Sequence, residues 1–191
     1  MKKTLYDLTR DDWNTLFPIE LSEHNVNWKS IFEAEKNRIL ENIDHSFFNR
    51  IEHFGSTSIP KIKAKNYIDL FIEIPKEFLF NKELIESFEK LGYSFFEVPA
   101  REDIEAYMSF AKGYNFEGKE EQIFHIHMCP KENVMCNQLN FRDYLIENPT
   151  KAKEYEQLKI ELASKYRNDR GAYVLGKTDF VKETLNLYQN K

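Results

Sequence analysis

At 191 residues, 41% hydrophobic and 31% charged, the chain has the composition of an ordinary folded soluble protein and enough length to bury one sizeable core. Its formal net charge of −5 argues against a protein whose main work is gripping nucleic acid through its backbone, while leaving room for a local cationic patch that holds a small phosphate compound. No apolar run is long enough to cross a bilayer and Met1 to Arg10 contains no secretory apolar region, so a cytoplasmic protein without a membrane partner is expected.

Residues 1–25 are mixed and polar, with Trp13, Leu16, Phe17 and Ile19 as anchors, and read as an N-terminal arm or short helix packed on the main body. Asn27 can cap a helix beginning at Trp28, in which Trp28, Ile31, Phe32, Ile39, Leu40 and Ile43 form a stripe at helical spacing. Phe47 to Phe54 then reads as a strand packing through Phe47, Ile51 and Phe54. Gly55-Ser56-Thr57-Ser58 is a tight turn, and Tyr67 to Ile74 is a second, neighbouring strand. In that second strand Ile68, Leu70, Ile72 and Ile74 share one side and Asp69 and Glu73 the other, with Glu73 finishing an exposed edge. Asn81 starts a helix carrying Leu84, Phe88 and Leu91 on one face, and Gly92 is its left-handed stop. Tyr93 to Val98, Ala106 to Ala111 and Gln122 to Cys129 have strand propensity, with turns at Gly113 and Gly118. Helical periodicity returns in Asn137 to Glu147, Thr150 to Tyr166 and Asp179 to Tyr188, broken by Pro149 and by an Asn168 to Gly176 loop. The order predicts one α/β (α+β) domain over residues 1–191: a mixed sheet flanked by helices, with a helical C-terminal third.

The chemistry concentrates around the Gly55 turn. Glycine lets backbone approach a ligand closely, and Ser56, Thr57 and Ser58 offer hydroxyl and amide donors to anionic oxygens. Asp69, set between Ile68 and Leu70, is costly there unless it meets a cation, a metal or several donors. Glu73 has the same parity but sits about 13 Å along the strand. His125 and His127 share strand parity opposite Phe124, Ile126 and Met128, a spacing suited to orienting phosphate, exchanging protons or completing a metal site with Asp69 or His53. Lys65 or Arg142 would balance phosphate charge, whereas Lys61 and Lys63 read as solvent-facing. Cys129 and Cys136 have neither disulfide-scaffold nor Cys-x-x-Cys spacing and read as packing residues. Gly-x-x-x-x-Gly-Lys-Ser/Thr and Gly-x-Gly-x-x-Gly are both absent, so neither a Walker-type kinase nor a dinucleotide loop is supported.

Glu52-His53-Phe54-Gly55-Ser56-Thr57-Ser58-Ile59-Pro60, then Ala64-Lys65 and Ile68-Asp69, resembles the signature of the GrpB-like (UPF0157) family. His125-Ile126-His127, Phe141-Arg142-Asp143-Tyr144-Leu145, Asn148-Pro149 and Lys177-Thr178-x-Phe180 follow in the same order. The resemblance implies a nucleotidyltransferase-like fold, and with it Mg²⁺ and a nucleoside triphosphate as substrate. Two departures matter. Lys61-Ile62 and Lys65-Asn66 make the loop more basic and less proline-stiffened than the family pattern. Polymerase-type nucleotidyltransferases resemble Gly-Ser followed by Asp-x-Asp, and here Phe71 stands where the second acid belongs.

Three functions follow as expectations. In the first, a nucleotidyl-transfer or phosphotransfer enzyme acts on a small nucleotide or phosphorylated substrate. Its catalytic residues would be Asp69, His125 and His127, its ligand-holding residues Gly55, Ser56, Thr57, Ser58, Lys65 and Arg142, and its metal ligands Asp69 and His127. The second is a catalytically silent nucleotide-binding or regulatory module. The third is a protein-interaction domain with its signature residues paired internally and an apolar patch on the C-terminal helices.

Overall fold

Residues 4–101, 104–115 and 121–190 are described by the structure, a computed structural model. Gly118, expected to mark a turn, lies outside them. Five strands, Arg50–Phe54 (β1), Tyr67–Glu73 (β2), Ser94–Val98 (β3), Tyr107–Lys112 (β4) and Ile123–Cys129 (β5), form one mixed sheet in the order β1-β2-β5-β4-β3. Only β2 and β5 run parallel. The helices are Arg10–Leu16 (α1), Trp28–Asn42 (α2), Lys82–Lys90 (α3), Asn137–Glu147 (α4), Pro149–Lys165 (α5), Arg170–Leu175 (α6) and Thr178–Gln189 (α7).

Alternation sorts the strands onto two faces. Ile68, Leu70 and Ile72 of β2, Ile126 and Met128 of β5, and Met108 and Phe110 of β4 pack against Phe32 and Ile39 of α2 and Leu84 and Phe88 of α3. The opposite face carries a smaller cluster of Phe54, Phe71, Tyr107, Cys129 and Leu139, with Cys136 packed against it, so the two cysteines do pack. Beyond it, Ile59 and Ile62 of the loop meet Phe141 and Leu145 of α4 and Tyr155 of α5. The C-terminal helices thus cover this face beside β1 and β2. A cleft remains next to the Gly55 turn.

Both outer strands of the sheet are closed by side chains from distant segments. Arg142 of α4 donates through Nη1 to the His53 carbonyl of β1 (2.7 Å), and the Phe95 amide of β3 donates to the hydroxyl of Tyr6 in the arm (3.0 Å).

Four local expectations change. The first strand starts at Arg50 rather than Phe47, because Asp44 accepts from the Ser46 amide and winds His45–Phe47 into a 3-10 turn. Asn27 precedes α2 without a side-chain cap; the Asn25 carboxamide instead accepts from the Asn27 amide. The Asn168 to Gly176 segment is helical over α6, started by Asp169, whose carboxylate accepts from the Ala172 amide. Glu73 is no exposed edge: it is 6% exposed, and Arg50 Nε donates to its Oε2 at 2.8 Å.

Candidate functional site

The parallel register of β2 and β5 sets Asp69 beside His125 and Phe71 beside His127. Asp69 and the two histidines are therefore neighbours on one face of the sheet. The next ladders extend the rows: Phe54 pairs with Asp69 on one side, while Ala111 and Ser109 of β4 pair with His125 and His127 on the other.

Gly55 ends β1 at φ +68°, and its missing side chain is what admits Asp69: a β-carbon there would lie 2.1 Å from Asp69 Oδ2. The 3-10 turn Ser56–Ser58 follows. Ser56 and Thr57 line the cleft, with Thr57 donating to the Tyr67 carbonyl (3.0 Å) and meeting His53 Nε2 at 3.1 Å. Ser58 is turned away, its hydroxyl donating to the Gly55 carbonyl at 2.6 Å. That bond holds the turn and takes Ser58 out of the expected anion cradle.

His125 is gripped at both nitrogens. Nδ1 lies 3.5 Å from Asp69 Oδ1 and Nε2 meets the Tyr114 hydroxyl. A carboxylate at one nitrogen and a hydroxyl at the other fit the neutral Nδ1–H tautomer. Burial lowers the His125 pKa against the pull of Asp69. Burial raises that of Asp69, yet the His125 hydrogen bond and the charges around it reverse this and hold the carboxyl below its ordinary value. His127 Nδ1 meets the Tyr107 hydroxyl at 3.3 Å, and burial takes its pKa down to about 4.

The cleft, about 350 Å³, also contains Lys65, Arg170 and Lys177. Lys65 lies with its amine 4.4 Å from the Tyr67 ring centroid, and burial together with Arg170 and Lys177 takes its pKa down to about 7. Arg142 reaches the same wall but is engaged with Glu52 (3.0 Å) and Asp143 (2.7 Å). Lys63 pairs with Glu23 at 2.6 Å and Lys61 is exposed, both away from the cleft as expected. Arg170 Nη1 is buried and has no hydrogen-bond partner among the described residues. A buried guanidinium nitrogen left so is costly until an anion meets it.

Sequence reasoning missed Arg170, Lys177, Tyr67 and Tyr114 as site residues. Arg170 fell in a segment read as loop, where the cue for a helix was the capping Asp169. Lys177 lay inside the family-like Lys177-Thr178-x-Phe180 run without a role attached.

The donor set offers Mg²⁺ one protein carboxylate. Among the described residues Asp69 is the single acid lining the cleft, Phe71 fills the next same-face position, and four basic side chains, Lys65, Arg142, Arg170 and Lys177, line the space. Among the described residues no three His, Cys, Asp or Glu side chains gather around an ion position. A hard divalent cation asks for several oxygen ligands. Of the expected pair of ligands, Asp69 offers such a cation one carboxylate and His127 a ring nitrogen, so most of its oxygen ligands would have to come from bound phosphate and water.

The profile of the family described as GrpB protein matches residues 18–187. The glutamate-rich protein GrpB of Alkalihalophilus pseudofirmus is 37% identical over 167 residues, covering 87% of this chain and 93% of that protein. The UPF0157 protein YqkA of Bacillus subtilis is 32% identical over 166 residues, covering 86% of this chain but 45% of YqkA, so the chain spans under half of that relative's length. The crystal structure of conserved protein GrpB from Enterococcus faecalis superposes with a TM-score of 0.72 at 26% identity, covering 88% of this chain and 96% of that one. Among the described residues no helix is long and apolar enough to cross a membrane.

Proposed function

The chain belongs to the GrpB family, and from the cleft it carries we propose that it binds a small nucleotide or other phosphorylated molecule and moves a proton beside the bound phosphate. The observation that carries this reading is Arg170, which lines the same cleft as Lys65, Lys177 and the Gly55 turn and whose buried Nη1 has no hydrogen-bond partner among the described residues. Fixed cations and turn donors around an enclosed space stabilise phosphoryl oxygens, and phosphoryl transfer asks for little else from protein beyond positioning. Asp69, ionised, is the base placed to accept a hydroxyl proton from an acceptor; His125 and Tyr114 orient it. Asp69 and the histidines are the reacting groups of this reading, and Gly55, Ser56, Thr57, Lys65, Arg170 and Lys177 hold the anion.

Nucleotidyl transfer from a triphosphate is one reaction such a site could serve. The phenylalanine at the second acid position favours a second reading, a nucleotide-binding or regulatory module without turnover. Calorimetry with pyrophosphate and nucleoside triphosphates, with and without Mg²⁺, tests both. Binding should weaken roughly 10-fold to 100-fold in Arg170→Met, as expected for losing charge-assisted hydrogen bonds. Equal affinity in Arg170→Met and wild type overturns the site. Diphosphate release separates the transferase from the silent module.

A further inference from the structure

A second cavity, about 400 Å³, lies beside the first on the same face of the sheet, and the two share His125, His127 and Arg170 in their linings. Its character is different. Ser109 and Ala111 of β4 give it a floor of small side chains, because they occupy the site-face positions one strand beyond the histidines. Trp13, Phe96 and Tyr114 rise around that floor. Trp13 arrives on α1 and stands edge-on to Tyr114, ring centroids 4.9 Å apart, while Tyr6 of the arm backs Phe96 at 5.3 Å. Arg170 occupies the junction, its guanidinium carbon 5.6 Å from the Trp13 ring centroid.

A phosphate on Arg170 therefore sends its ester substituent into a slot with small floor residues and aromatic walls. Inorganic phosphate and hydroxylated sugars gain little from such walls, whereas planar rings stack on them. We propose that the second cavity holds the planar aromatic ring of a ligand whose phosphate occupies the first, so that the preferred ligand is a phosphate ester of a heteroaromatic compound rather than a sugar phosphate. This rests on the phosphate-binding reading above and adds the identity of the group the phosphate carries. The N-terminal arm becomes part of the ligand site, since it brings in Trp13 and fixes Phe96.

Calorimetry with pyrophosphate, ribose 5-phosphate, adenosine and uridine 5′-monophosphates and pyridoxal 5′-phosphate tests it, on wild type, Ser109→Ile and Phe96→Ala. Ser109→Ile fills the floor with a side chain suited to a strand; Phe96→Ala removes a wall. Wild type should bind the ring-bearing esters about tenfold or more tighter than ribose 5-phosphate. Each variant should erase that ratio and leave pyrophosphate affinity unchanged. Preference for the two nucleotides assigns the ring to a nucleobase, and preference for pyridoxal 5′-phosphate assigns it to a pyridine; either supports the slot. Equal affinity of wild type for ribose 5-phosphate and the ring esters overturns it, as does a ratio unchanged in both variants. Pyrophosphate bound without any gain from a ring leaves the phosphate site standing and removes only the ring slot, whereas failure of every compound to bind wild type removes both. Circular dichroism establishes folding, and Phe96→Ala carries the test if Ser109→Ile does not fold.

Discussion

Gly55 and Asp69 occupy so nearly the same space that a β-carbon on the glycine would stand 2.1 Å from the carboxylate Oδ2. With φ +68° and ψ −174°, the glycine also holds a backbone conformation closed to other residues. Gly55→Ala should therefore destabilise the fold by about 1–3 kcal/mol from strain alone. It should also push Asp69 out of register with His125. Urea unfolding measures the first effect and ligand calorimetry the second; a wild-type melting curve with unchanged binding would contradict the arrangement.

Asp69→Asn separates charge from shape. Because Asp69 is the lone acid lining the cleft among the described residues, its ionised carboxylate repels a phosphate, and the amide should tighten pyrophosphate binding several-fold at low salt. Any turnover should disappear in the same variant, since the base is gone. The sign is opposite to that expected of a metal-binding aspartate, whose loss would abolish metal-dependent nucleotide binding. Calorimetry in the presence and absence of Mg²⁺ reads the difference directly.

Lys65, with its pKa down at about 7, is partly neutral at physiological pH. A phosphate beside the amine raises its proton affinity, so binding should take up protons near pH 7 and weaken as pH rises towards 9. Titrations in buffers of different ionisation enthalpy measure that uptake. In Lys65→Met the pH dependence over this range should flatten.

Burial takes His53 and His127 from 6.5 down to about 4, against the opposing charge of Asp69. Between those values the unfolded chain binds protons that the folded chain refuses, so the stabilisation is complete above pH 6.5 and drains away as pH falls towards 4. The slope should be about 1.4 kcal/mol per pH unit for each histidine. Denaturant midpoints measured from pH 7 to 4 should show it, and His127→Gln should remove that histidine's own share, about 1.4 kcal/mol per pH unit.

Glu73 belongs to the architecture. It lines neither cavity, is buried, and accepts from Arg50. Glu73→Gln should cost about 1–3 kcal/mol in unfolding and leave ligand affinity alone.

The pairing of β1 with β2 was legible because Tyr67 to Ile74 alternates so regularly, and Gly55 because a glycine ahead of three hydroxyl residues marks a tight turn. Asp69 stood out by being an acid among isoleucine and leucine. Register was not legible: nothing in the spacing of His125 says that β5 lies parallel to β2 with that histidine beside Asp69. Arg170 was hidden for a related reason. Its value comes from a six-residue helix returning over the sheet 101 positions after Asp69, and short helices held by one cap leave little periodic trace. Glu73 misled because strand parity reports direction, whereas burial depends on which helix lands on top.

The two bonds that close the sheet's outer strands govern how copies of the chain behave towards one another. A bare strand margin recruits other strands by backbone pairing. Here Arg142 covers the His53 carbonyl and Tyr6 covers the Phe95 amide, so each margin is plugged at one point by a residue remote in sequence. During synthesis the β1 plug arrives last, since α4 follows β1 by some 80 residues of chain. The half-made protein is thus at its stickiest just before α4 emerges, and Arg142→Ala should show itself in the yield of monomer at high concentration more than in the melting temperature.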